Sequence, residues 1–83
     1  MIKTMDMTIT TPEGIIFQGQ VEKAKFPGAS GAFTVLPRHA ALISALVAGK
    51  VAYSQEGTSN EVQIQSGFVE VRNDVLSVCV EIE

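Results

Sequence analysis

The chain holds one histidine, His39, and one cysteine, Cys79. A Cys–His couple, with the imidazole drawing the thiol proton, is the only nucleophilic pair it could assemble. Cys79 stands inside an alternating segment in which Leu76, Val78, Val80 and Ile82 are interleaved with Ser77, Cys79, Glu81 and Glu83. That setting reads as a structural, half-buried thiol in a strand rather than a nucleophile. A zinc site needs three or four ligands, more than one His and one Cys supply. The carboxylates are spread singly, so no acid–base pair stands out. Gly28-Ala29-Ser30-Gly31 lacks the Lys-Ser or Lys-Thr that completes a phosphate cradle, and reads as a turn. The expectation is therefore no catalytic, cofactor-binding or metal-ligating residue, no cofactor and no small-molecule substrate. His39 remains open. It follows Pro37-Arg38 and precedes an apolar run, so it either bonds to nearby backbone or marks the edge of a contact surface.

The elements that carry these residues are strands. Gly and Pro recur at short intervals, from Pro12 and Gly14 through Pro37 and Gly49 to Gly67. Strands separated by such turns at even spacing point to an all-β sandwich or barrel. Met5, Met7 and Ile9 alternate with Asp6, Thr8 and Thr10. Val62 and Ile64 sit between Glu61, Gln63 and Gln65, and Val51 and Tyr53 alternate with Lys50, Ala52 and Ser54. Asn73-Asp74 predicts a tight hairpin turn, because both residues tolerate positive φ. Gln55 to Asn60 predicts a longer polar hairpin loop. His39 to Ala48 resists this pattern: Leu42 and Leu46, like Ile43 and Val47, sit at helical spacing, so helix and strand are both open there.

With 83 residues there is one domain, spanning 1–83. A domain this small buries only about 60–65% of the surface its unfolded chain exposes, so a permanent partner would help it. Net charge is −3, and the six basic residues are scattered apart from the Lys23/Lys25 pair, which argues against nucleic acid. A single cysteine allows no internal disulfide and fits a reducing compartment. Met1 to Ile9 lacks the apolar core of a signal peptide. The longest apolar-rich stretch, Ala40–Ala48, falls far short of the roughly 20 residues that a membrane-spanning helix needs.

From Phe26 to Ile43 the sequence reads Pro27-Gly28, two residues, Gly31, an apolar run, Pro37, one residue, His39-Ala40 and a further apolar stretch. This resembles the signature of F-type ATP synthase epsilon subunits. Thr11-Pro12-Glu13-Gly14, Phe17, Gly19 and Val21-Glu22 are similar to that family's opening. Gly49-Lys50-Val51 is similar to its middle, and Gly67-Phe68-Val69-Glu70-Val71 with Val75–Val78 to its end. The resemblance implies a flattened sandwich of about ten short strands. It also implies a non-catalytic rotor subunit of the central stalk, tying the gamma subunit to the loops of the membrane c-ring and helping to couple proton or sodium translocation to ATP synthesis. By resemblance gamma meets Thr11, His39 and Ser44, and the c-ring meets Ala29, Ser30, Gly31, Ala32 and Phe33 together with Arg38. The place of work would be the bacterial cytoplasm, peripheral on the cytoplasmic face of the inner membrane. The family's strand at His39–Ala48 decides the open question toward an extended segment, with burial on both faces as the expected reason for its apolar character. Several positions depart from the pattern: Thr34 where Gly is common, Arg38 where Asn or Gly is usual, Ala41 where Pro is frequent, Ser66 for the first of two glycines, and Ala32 where some members are acidic. Most members continue into a C-terminal helical hairpin that can inhibit hydrolysis and in some cases bind ATP. Ending at Glu83, the chain is expected to lack both properties, as a naturally short member or a piece of a longer one. The alternative to the family reading is a β-sandwich binding module of another complex.

Overall fold

In the computed structural model, which describes residues 3–82, the alternating segments are strands. They are β1 (Met5–Thr11), β2 (Gly14–Val21), β3 (Lys23–Phe26), β4 (Phe33–Val35), β5 (Leu42–Leu46), β6 (Gly49–Gln55), β7 (Thr58–Ile64), β8 (Ser66–Arg72) and β9 (Val75–Glu81). Two sheets form, ordered β2-β1-β9-β8-β5 and β4-β3-β6-β7. All pairs are antiparallel except β1 with β9. The expected all-β sandwich is present, with nine strands among the described residues instead of ten, and one isolated bridge between Gly28 and Leu46.

Period-two alternation places the core. Met5, Met7 and Ile9 on β1 face the same way as Leu76, Val78 and Val80 on β9, and as Val69 and Val71 on β8. The second sheet answers with Ala24, Phe26, Val35, Val51 and Ile64, and each of these side chains is buried. No polar or charged side chain is buried among the described residues. The core is thus held by apolar area alone, at roughly 25 cal/mol per Å² removed from water. Phe17 stacks on Tyr53 with ring centroids 4.4 Å apart, closing the gap between β2 and β6.

Three expectations are corrected. Residues 42–46 are indeed a strand, but β5 is an edge strand buried on one side only: Leu46 is buried while Ile43 is 75% exposed. Its run of apolar residues is therefore not explained by burial on both faces. The Gln55–Asn60 loop is shorter than expected, since β6 and β7 run on to Gln55 and Thr58 and only Glu56 and Gly57 turn the chain. Polar residues there are paired strand positions facing water, which composition alone does not distinguish from loop. Ile82 lies beyond the end of β9 and is exposed, and Glu83 lies outside the described residues.

Two of the two-residue hairpins, β6–β7 and β8–β9, have positive φ at both central positions: Glu56 (51°) and Gly57 (79°), and Asn73 (51°) and Asp74 (61°). That is the I′ geometry whose twist matches the flanking strands. Asn73-Asp74 suits it, as the sequence implied. Glu56 does not, because a long side chain in the left-handed region is disfavoured where Asn is tolerated. Glu56→Asn should stabilise the domain by about 0.5–1 kcal/mol. Thermal unfolding of the two chains side by side checks this, with a higher midpoint expected for the variant.

Candidate interaction surface

The two outer faces of the sandwich differ in chemistry. On the four-stranded sheet, cross-strand register sets Lys23 beside Ser54 and Ser59, and Lys25 beside Thr34, Ala52 and Glu61. Lys50 reaches Glu61 at 3.5 Å with both side chains more than half exposed, a pair worth little to stability. This is an ordinary solvated face.

The five-stranded sheet presents another kind of surface. One row crosses all five strands: Ile15, Thr10, Cys79, Phe68 and Ala45. Ile43 lies one row away on β5, diagonal to Phe68. Ile15 is 59% and Phe68 52% exposed, and Val47, Val75 and Ile16 are also exposed. Ile16 is the extra residue of a bulge, because the β1–β2 register slips between Ile9–Phe17 and Thr10–Ile15. Asp6, Glu70 and Arg72 occupy the neighbouring rows as a charged border. At the Thr11 end of the sheet an open groove of about 530 Å³ is lined by Thr10, Pro12, Leu46, Gly67, Phe68 and Cys79. Contiguous apolar surface with a polar border is the anatomy of a protein contact site.

No catalytic geometry accompanies it. The Thr10 hydroxyl lies 3.3 Å from the Val78 carbonyl and 3.4 Å from the Cys79 sulfur. His39 is on the loop before β5, its Nδ1 2.7 Å from the Ala40 carbonyl, so the Cys–His couple does not form. That ring contact is the nearby-backbone bond left open in the sequence. Among the described residues, no three His, Cys, Asp or Glu side chains come close enough to hold a metal ion. Burial pushes the Tyr53 hydroxyl above its ordinary pKa, but Tyr53 packs beneath Phe17, away from this surface.

The residues expected at the two interfaces are spread over the length of β5. Thr11 closes the β1–β2 turn, accepting the Glu13 N–H and donating to the Gly14 carbonyl, both at 3.2 Å. Ser44 stands opposite Val69 on the core-facing row of β5 and donates to the Ala45 carbonyl at 3.0 Å. An Asp at position 44 would therefore disturb the fold as well as any contact. Ala29, Ser30, Gly31 and Ala32 form an exposed turn stitched to the Leu46 end of β5 by Ala29 N–H to the Ala45 carbonyl and Val47 N–H to the Pro27 carbonyl, each 2.9 Å. Phe33 is half-buried against Phe26, with ring centroids 5.6 Å apart. Arg38 and His39 lie at the other end of β5, beyond Leu42. Sequence reasoning missed Ile15, Ile43 and Phe68. Only Phe68 carried a signal, as a large apolar residue on the polar phase of its strand beside Glu70 and Arg72; Ile43 shares its phase with Ala45, and Ile15 is turned outward by the bulge.

Comparison with known proteins bears on what such a surface serves. A family model described as the β-sandwich domain of the ATP synthase delta/epsilon chain matches residues 4–82. The ATP synthase epsilon chain of Nitratiruptor sp. is 40% identical over 79 residues, covering 94% of this chain and 61% of that protein. The epsilon chain of Desulforamulus reducens is 36% identical over 81 residues, covering 98% of this chain and 61% of its own length. The chain thus spans about three-fifths of the length of the curated relatives it matches. A chain in the Euglena gracilis mitochondrial ATP synthase (OSCP, F1 and c-ring) superposes with a TM-score of 0.88 over 93% of this chain and 50% of that one, at 22% identity, which speaks for the fold.

Proposed function

Given that the chain belongs to the delta/epsilon β-sandwich family of ATP synthase, we propose that it is a non-catalytic central-stalk subunit that joins a gamma-type subunit to the c-ring. The observation that carries this reading is the apolar outer face of the five-stranded sheet, centred on Phe68, Cys79 and Ile43. Ile15, Ile43 and Phe68, three large side chains of this face that are at least half exposed, are costly on so small a domain unless a partner covers them. The gamma-type subunit covers this face, with Thr11 and His39 at its two ends and Ser44 behind its β5 edge. The exposed turn Ala29–Phe33, with Arg38 at the far end of β5, meets the c-ring loops. The subunit works by fit rather than by chemistry, and helps transmit the torque that couples proton or sodium flow to ATP synthesis. No described helix is long and apolar enough to cross a membrane. That agrees with a peripheral place on the cytoplasmic face of the bacterial inner membrane, held there through the c-ring.

Cys79 provides the test, being the one free thiol and lying at the centre of this face. In the isolated chain a small thiol reagent should modify it slowly, and addition of purified gamma subunit should slow that reaction by roughly tenfold or more. An unchanged rate in a complex that demonstrably forms would place gamma elsewhere.

A further inference from the structure

Leu36-Pro37-Arg38-His39 is a four-residue turn, closed by the His39 N–H to the Leu36 carbonyl at 3.1 Å. Proline at its second position and positive φ at its third (Arg38, 69°) are the type II pattern. That third position ordinarily takes Gly or Asn, because other side chains are strained in the left-handed region. Here it holds an arginine. The Arg38 N–H donates to Asp74 Oδ1 at 2.6 Å, across from the β8–β9 hairpin. A carboxylate accepting a backbone N–H makes one of the stronger hydrogen bonds available to a loop. The same residue's carbonyl accepts the Asp6 N–H at 2.9 Å, so Asp74 ties the turn to the hairpin and to the start of β1. The carboxylate is engaged with the amide rather than the guanidinium, and Arg38 has no ion pair among the described residues.

We propose that Asp74 is a positioning residue: its carboxylate holds the Arg38 backbone in the left-handed region, so that an exposed guanidinium, rather than a bare glycine, is displayed beside His39. The assignment of Asp74 stands on geometry alone. That the displayed Arg38 then meets a partner rests on the stalk reading above.

Asp74→Gly separates the carboxylate from the turn it occupies, since Asn-Gly is a favoured I′ pair and keeps both the hairpin and the carbonyl that serves Asp6. In this variant the Arg38 amide should exchange with solvent at least about tenfold faster, while amides of β8 and β9 keep their protection. Asp74→Asn retains an acceptor oxygen and the tolerance of positive φ, and should stay within about threefold of the parent. Adding Arg38→Gly, which needs no help in that conformation, should shrink the effect of Asp74→Gly on the thermal midpoint, showing coupling between the two positions. An Arg38 amide equally protected with and without the carboxylate would overturn the assignment. Faster exchange with unaltered binding to a gamma and c-ring assembly would uphold the positioning role and remove Arg38 from the contact.

Discussion

Gly67→Ala should destabilise the domain sharply, by about 3 kcal/mol or more, a large share of its total stability. Gly67 pairs with Val80 on one side and Leu46 on the other, near the start of β8. A Cβ there would overlap the Cys79 carbonyl oxygen and approach the Val80 Cα to 2.9 Å. Both are backbone atoms of the adjacent strand, so no rotamer change relieves the clash; β8 or β9 must move. The shift would reach Val69, Val78 and Val80, all in the core. Overpacking against backbone costs about 3 kcal/mol or more. A domain of this length has roughly 4–12 kcal/mol in total. Urea titration by circular dichroism checks the expectation, and a midpoint equal to the parent's would contradict it.

The second large effect concerns binding and leaves folding nearly intact. Ile43→Asp with Phe68→Asp places two carboxylates at diagonal positions on the outer face, where both side chains are already mostly in water. The fold should lose at most about 1 kcal/mol per site, from strand preference. Against a gamma-type partner each charge would be buried without a counterion. Loss of two central contacts at about 2 kcal/mol or more apiece amounts to a fall in affinity on the order of a hundredfold to a thousandfold. Thr58→Asp with Ser59→Asp, exposed on β7, adds the same charge away from this face and should change affinity little. Equal binding by the two double variants, measured by surface plasmon resonance, would show that the partner does not use the five-stranded sheet.

What the sequence made legible was set by local physics. Alternation in Met5–Ile9 and Leu76–Val80 fixed which side chains are buried, because a strand has two faces and water takes one. Asn73-Asp74 marked its turn because those residues tolerate positive φ. The nature of β5 was not legible. Leu42 to Leu46 reads alike as buried strand or helix, and only strand order reveals an edge strand with one apolar face turned outward. The site was harder still. Thr11, Ser44 and His39 come together only if the chain folds so that one end of β5 meets the other, and the register keeps those ends apart. Arg38 shows the opposite case. It departs from the Asn or Gly usual in the family, and the reason, a carboxylate reaching over from position 74, lies in another part of the chain.

The parallel pairing of β1 with β9 also bears on how the molecule is made. The strand at the middle of the five-stranded sheet is the last of the described strands, and it must slot between β1, near the start of the chain, and β8. The β1–β2 and β6–β7 hairpins need only neighbours and can close in microseconds. The central ladder cannot begin until β9 has left the ribosome, about 60 residues after β1, and joining such distant segments slows folding. Until then β1 shows an open edge and Met5, Met7 and Ile9 lie uncovered, which is when aggregation competes. During synthesis, then, the exposed liability is the future centre of the sheet rather than its apolar outer face.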